Sequence, residues 1–367
     1  MKRGALCIAA LGACAWSRGG GAIDIDAHGD AAGMADASIA DAPIADARVM
    51  IDAREIDAPP PPDAAQYAPV AWGPLTGSFD GLDAFVHVPA GMEQGVPRPL
   101  IVVLHGCWED AKTHETNAQW DAFADVHHLY VLHAQDAQQV QQCFDWWSLA
   151  SQQGDGDAAG VLAMVDAIEA QYSIDTSHVY LDGFSSGGAL AVILCAIAPQ
   201  RFAGAIVHAG LPYKGYTGTD VGTLGYIFTE HDQTPQQRAA VMPGSGPYPT
   251  ILAFVGASDT TVHPTFTREL VDQWTRAQGA DQIADLTGTL KPGNTHHTYR
   301  EYRDASSRLI IATVTIDGMD HGYAVDPNGT GADKGGATSG AFNGHPSYGK
   351  DVALWSTYWG AAALGIP

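Results

Sequence analysis

Basic residues are scarce in this chain. Eighteen Lys and Arg stand against 41 Asp and Glu, for a formal net charge of −23 over 367 residues. Nucleic-acid binding needs clustered Lys and Arg to neutralise phosphates, so a nucleic-acid partner is excluded as an expectation. The acidic surface itself implies solubility rather than any particular substrate. Long apolar runs are missing too. Beyond the first residues, no stretch approaches the roughly 20 apolar residues of a membrane helix. Cysteines number five, at positions 7, 14, 107, 143 and 195. No His, Cys and Asp cluster has ligand spacing in the sequence, so neither a metal nor an organic cofactor is expected.

The chain opens with Lys2 and Arg3, followed by a mostly apolar run from Gly4 to Ala13. That is an export-signal pattern, assigned to residues 1–21, and it is too short to span a bilayer. Leu11-Gly12-Ala13-Cys14 has the form of a lipoprotein box, in which Cys14 would carry lipid and anchor the protein to a membrane. Ala13-Cys14-Ala15 equally fits ordinary small-x-small cleavage. Residues 22–66 contain no Phe, Trp or Tyr, repeat Asp-Ala at five- or six-residue spacing over most of their length, and end near four consecutive prolines, Pro59 to Pro62. Such a segment lacks the apolar surface needed to offset chain entropy and is expected to be a disordered, extended stalk. A calcium-binding repeat would need loop glycines and denser carboxylates. The catalytic domain is then expected over residues 67–367.

From Tyr67 onward, Val/Ile/Leu-rich runs alternate with helical patterns. Strands are expected at Phe85–Val88, Leu100–Leu104, Leu129–Leu132, Val179–Leu181, Ala205–Val207, Ile251–Val255 and Ile310–Ile316. Helices are expected at Ala158–Tyr172, Gly187–Ala198, Thr265–Gln278 and Lys350–Trp359. This alternation predicts an α/β class with a mainly parallel sheet covered on both faces, and in such sheets chemistry collects at the carboxyl ends of the strands.

The motifs sit at those ends. Gly183-Phe184-Ser185-Ser186-Gly187 follows a strand and opens a helix, the pattern of a nucleophile elbow, with small residues two positions either side of Ser185. Ser186 is the competing serine but occupies the variable position. In this fold the orienting acid and the histidine follow the nucleophile in chain order. Asp259 stands just past the strand Ile251–Val255, whereas Asp281 and Asp285 have no preceding strand. His321, on the glycine-flanked loop Gly318 to Gly322 after the last strand, is the candidate base. His263, His296, His297 and His345 are its rivals; His263 lies too near Asp259 in sequence, and His296 and His297 fall in a polar, loop-like stretch. Leu104-His105-Gly106-Cys107 ends an early strand, where the fold supplies an oxyanion amide. The backbone N–H groups of Cys107 and Ser186 are the candidate oxyanion hole, with His105 orienting the loop. Together these residues predict the α/β-hydrolase fold and acyl-enzyme chemistry.

These residues resemble the extracellular polyhydroxybutyrate depolymerase family and its feruloyl and acetylxylan esterase relatives, from about Val86 to Gly360. The resemblance rests on His105-Gly106-Cys107, on Cys143-Phe144-Asp145-Trp146-Trp147, and on Gly154-Asp155-Gly156-Asp157, where the family has Glu in last place. It extends through Ala209 to Tyr213, Thr234 to Arg238, Asp259 to Val262, Gln273 to Thr275, Gly318 to Gly322 with Val325 to Pro327, and Ser356 to Gly360. It implies a Cys107–Cys143 disulfide clamping the oxyanion loop to a neighbouring cleft loop, and leaves Cys195 buried and unpaired. The chain departs from the family at Trp108 and Glu109, where a small residue and Gln are usual, so Trp108 would narrow the acyl side of the cleft or offer a flat contact. No polymer-binding module is expected beyond Pro367, and inefficient attack on crystalline polymer is the matching expectation.

The resulting expectation is a secreted or surface-tethered monomeric serine esterase. Its best substrate class is a short-chain hydroxyalkanoate polyester or its oligomers, with feruloyl or acetyl esters of plant polysaccharide as the alternative. A binding lipoprotein on an inactive hydrolase scaffold is the reading from a different class. Trp108, Trp146 and Trp147 are candidate substrate contacts for polymer, sugar or aromatic acyl groups, with at least one of the three open to being core instead.

Overall fold

The computed structural model describes residues 65–136, 142–216, 233–244 and 246–367. The export signal and nearly all of the expected stalk lie outside the described residues. Ala65 and Gln66, assigned above to the stalk, already pair with the domain: the Gln94 N–H donates to the Ala65 carbonyl at 2.8 Å, and Gln66 bridges Glu93.

Among the described residues, twelve strands and seven α-helices follow. They are β1 (Val70–Pro74), β2 (Asp83–Val88), β3 (Arg98–Leu104), α1 (Ala111–Ala118), α2 (Trp120–His127), β4 (Tyr130–Gln135), α3 (Gly156–Gln171), β5 (Ile174–Phe184), α4 (Ser186–Ile197), β6 (Gly204–His208), α5 (Pro235–Ala239), β7 (Thr250–Gly256), α6 (Thr265–Ala277), β8 (Leu286–Gly288), β9 (His297–Arg303), β10 (Leu309–Ile316), β11 (Tyr323–Val325), β12 (Gly349–Asp351) and α7 (Ser356–Leu364). Ten strands form one sheet in the order β1-β2-β4-β3-β5-β6-β7-β10-β9-β8. From β4 to β10 every pairing is parallel, while β1, β2, β9 and β8 close the two ends antiparallel. The parallel strands read as unbroken apolar runs because both faces are covered: Leu100 to Leu104 and Ile251 to Val255 are buried throughout. The fold is the α/β-hydrolase fold.

The expected strands each fall within or overlap an observed one, with β5 extending five residues upstream of the apolar core Val179–Leu181. The helix expected over Lys350–Trp359 is a correction. Gly349–Asp351 instead pairs in parallel with Tyr323–Val325, Ala353 takes a positive φ of 54°, and the helix starts only at Ser356. A left-handed residue cannot continue a right-handed helix, so the helical pattern is broken there. His297, expected in a loop, opens β9.

Candidate active site

β5 delivers Ser185 at its carboxyl end and α4 begins at the next residue. Ser185 has φ 55° and ψ −112°, and its N–H donates to the His208 carbonyl at 2.8 Å. An L residue reaches this region only under strain. The neighbours explain the small residues around it: a Cβ on Gly183 would run into the Gly187 carbonyl, and one on Gly187 into the Leu104 carbonyl of β3. The elbow is thus wedged against the adjacent strand, and the N-terminus of α4 points its unpaired amides at the serine.

Asp259 stands three residues past β7. Its Oδ1 accepts the Thr261 and Val262 N–H groups, each at 2.8 Å, which leaves Oδ2 free to take His321 Nδ1 at 2.7 Å. His321 Nε2 lies 3.1 Å from Ser185 Oγ. With Nδ1–H donated to the carboxylate, Nε2 presents its lone pair to the serine hydroxyl, the tautomer that general-base attack requires. The Phe184 ring, 4.8 Å away, and the Tyr348 ring, 5.9 Å away, hold the imidazole in place. Of the rival histidines, His263 caps the start of α6 through the Thr265 N–H, and His297 Nε2 accepts the Leu290 and Lys291 N–H groups. Ser186 Oγ reaches the His105 carbonyl at 3.5 Å.

The turn after β3 is fixed from inside. His105 Nε2 accepts the Asp136 N–H at 3.1 Å, so Nδ1 carries the proton and donates to the Gly106 carbonyl at 2.7 Å. Burial lowers the His105 pKa to about 4, so the ring stays neutral in this role. Glu109 Oε2 accepts the Gly106 N–H at 3.1 Å. Cys107 is joined to Cys143 by a disulfide, as the resemblance implied, and Cys195 is a free, buried thiol.

Residues 84–300 match the family model described as Esterase PHB depolymerase. The chain belongs to that family. It is 36% identical over 293 residues to a poly(3-hydroxyalkanoate) depolymerase C of Paucimonas lemoignei, a match that covers 78% of this chain and 67% of the relative. A feruloyl esterase B of Thermothelomyces thermophilus is 27% identical over 230 residues, covering 59% and 78%. The solved acetyl xylan esterase from Aspergillus awamori superposes with a TM-score of 0.57 at 20% identity, covering 66% of this chain and 89% of that one, a likeness of fold. The chain is a carboxylic ester hydrolase.

Within this chain, the three tryptophans separate. Trp146 and Trp147 are 6% and 7% exposed and pack edge to face within the core. Trp108 is half-buried, has φ 61°, and stacks on His345 at 4.2 Å with the planes 21° apart. His345 sits on a loop tied down by Asn117, whose amide nitrogen shares its two protons among the carbonyls of Ala337 and Ser339 and the Ser347 hydroxyl, at 2.9, 2.8 and 2.9 Å. Tyr348 and the Trp108–His345 stack were not found from sequence as a unit. His345 was weighed only as a base, and nothing in the spacing announces a stack across 237 residues.

A buried polar network also went unread. Asp182, on β5 three residues before Ser185, accepts Trp120 Nε1–H at 2.8 Å and the Tyr323 hydroxyl at 3.0 Å through Oδ2, and meets His208 Nε2 at 2.9 Å through Oδ1. His114 lies between Glu109, 3.1 Å away, and Asp182, 3.9 Å away. Burial opposes a charge on His114, but the two flanking carboxylates outweigh it and push its pKa up to about 10. Asp182 is held well below the usual carboxylate range: burial opposes this, and His208 and His114 overcome it. The network joins the turn after β3, strand β5 and the segment just past His321.

Proposed function

We propose that Ser185, Asp259 and His321 are the catalytic triad of an esterase that hydrolyses short-chain polyhydroxyalkanoate polyester or its oligomers. The observation that carries this reading is the unbroken relay Asp259–His321–Ser185, at 2.7 and 3.1 Å, on a strained elbow. The choice of polyester draws on the 36% identity to a poly(3-hydroxyalkanoate) depolymerase, against 27% to a feruloyl esterase.

In the reaction, His321 Nε2 takes the Ser185 proton as Oγ attacks the ester carbonyl. Asp259 Oδ2 keeps the imidazole in the productive tautomer and stabilises the imidazolium. The Cys107 and Ser186 N–H groups hold the oxyanion as negative charge develops on the carbonyl oxygen. The imidazolium then gives its proton to the leaving alcohol, and water repeats the sequence on the acyl-enzyme. Trp108, stacked on His345, is the substrate contact this reading favours; Trp146 and Trp147 are buried in the core. Residues 1–21 would direct export, residues 22–66 would form the stalk, and Cys14 would be the anchor if the lipoprotein box is used.

A substrate panel tests the proposal: hydroxybutyrate oligomers, amorphous polymer film, methyl ferulate and acetylated xylan. Highest kcat/KM on the oligomers is the expected result. Highest kcat/KM on methyl ferulate or acetylated xylan would transfer the enzyme to the polysaccharide esterases. No hydrolysis of even a nitrophenyl ester would leave a binding protein.

A further inference from the structure

Away from the serine, at the β2–β4 end of the sheet, β2, β4, α1 and α2 bring together side chains that the reaction does not use. Phe85 pairs with His133 and His87 with Val131 across the antiparallel strands, so His87 and His133 project from one face of the sheet, two residues out of step. Over that face lies α2, which carries Asp121 and Asp125 one turn apart. His133 Nε2 is 2.8 Å from Asp121 Oδ1 and 4.0 Å from Glu115 Oε2, and His87 Nδ1 is 3.8 Å from Asp121 Oδ2. One ligand atom each from Glu115, Asp121 and His133 lies within 4.8 Å of the others. We propose that Glu115, Asp121 and His133 form a binding site for a divalent transition-metal ion of the zinc type, with His87 completing it.

The donor set favours such an ion over calcium or magnesium, because hard cations take oxygen ligands while imidazole suits zinc-like ions. Charge accounting points the same way. Two carboxylates face one imidazole nitrogen, which has a single proton to offer and directs it at Asp121. Glu115 is left to the Trp120 and Asp121 backbone amides, each at 3.0 Å, and to the charge of Lys112. A divalent ion among them would satisfy all three groups. His87 already has the outer partner expected of a ligating histidine, since Nε2 meets Asp125 Oδ1 at 2.9 Å and holds the ring with Nδ1 toward the cluster. The Ala71 carbonyl, 3.2 Å from Nδ1, is the competing partner for that nitrogen. Asp121 is 15% exposed in its side chain and Asp125 57%, which gives an ion a route in from solvent. Trp72, packed 4.7 Å from the His133 ring and capped by Lys112, closes the other side.

The role is structural. The ion would pin α1 and α2 to the β2–β4 pair, so its removal should lower Tm and leave the chemistry of the serine unchanged. The test uses the full chain, freed of metal by a chelator and titrated with cobalt(II) as a spectroscopic probe and with zinc(II) by calorimetry. One equivalent should bind, cobalt should show the visible absorption of a four- or five-coordinate site, and zinc should raise Tm by several degrees. Asp121→Asn and His133→Gln should each weaken binding by more than about tenfold while keeping hydrolysis of a soluble ester. The absence of stoichiometric binding to the wild-type chain would overturn the proposal. So would equal affinity in the wild type and in whichever of the two variants folds.

Discussion

At the scale of single residues, the proposed mechanism asks two adjacent serines to do different things. In it Ser185 offers its hydroxyl and Ser186 its backbone N–H. Ser185→Ala should therefore lower kcat by about 10⁴-fold or more with the fold intact, because triad members act as a unit. Ser186→Ala should cost far less. Initial rates on a nitrophenyl ester check both, and a dead Ser186→Ala beside an active Ser185→Ala would reassign the nucleophile. Trp108 stacks on His345. Trp108→Ala should raise KM for hydroxybutyrate oligomers severalfold and leave kcat on a small ester nearly unchanged; steady-state kinetics on the two substrates separate the effects. The residues that sequence made visible are those whose chemistry imposes local steric rules. Ser185 needs small neighbours on both sides, Asp259 needs a strand before it, and His321 needs a free loop. Trp108 was singled out because it breaks a family pattern, but its partner came only with the fold.

At the scale of elements, the turn after β3 is held three ways: by the His105 ring, by Glu109 and by the disulfide to Cys143. The bridge closes a loop of 36 residues. In the chain-entropy model it should stabilise by about 4 kcal/mol. Reduction should lower both Tm and activity, read by calorimetry and by rate before and after treatment with a thiol. The buried histidines set opposite limits in pH. His114 has its pKa raised from 6.5 to about 10, so its contribution to stability is full below about 6.5 and is lost as pH rises through 10. His105 has its pKa lowered to about 4, so the unfolded chain gains a proton first on acidification, and stability falls between about 6.5 and 4. Urea unfolding across pH should show both slopes. His114→Asn should be less stable at neutral pH, since Glu109 loses its partner, and should lose the alkaline slope. The parallel strands β3, β5, β6, β7 and β10 were legible because they are unbroken apolar runs. Of the antiparallel ends only β2 was: β9 alternates buried and less buried residues, β8 is three residues, and so are β11 and β12, which pair in parallel in a separate sheet. Their pairing is decided by partners far away in the chain, as the misread stretch Lys350–Trp359 illustrates. The Glu109–His114–Asp182 network escaped for the same reason, being assembled from α1, β5 and the turn between β3 and α1.

At the scale of the whole molecule, residues 22–64 are acidic and carry no aromatic residue to dock on the domain. A chain beginning at Ala65, which retains the pairings of Ala65 and Gln66 with the β2–β3 connection, should therefore match full-length kcat on soluble esters. Loss of rate on truncation would give the acidic segment a part in the fold. In cells, acylated Cys14 would carry the protein into the membrane fraction and Cys14→Ser would release it or block its processing; a wild-type N-terminus beyond Cys14 in the medium would leave ordinary secretion. The disulfide acquires a further meaning once export is considered. A thiol pair held reduced in the cytosol cannot close the turn that carries Cys107. The chain would then be made in a slackened form and tightened only after leaving the cell interior. On that reading the hydrolase would reach full strength only outside the cell that makes it.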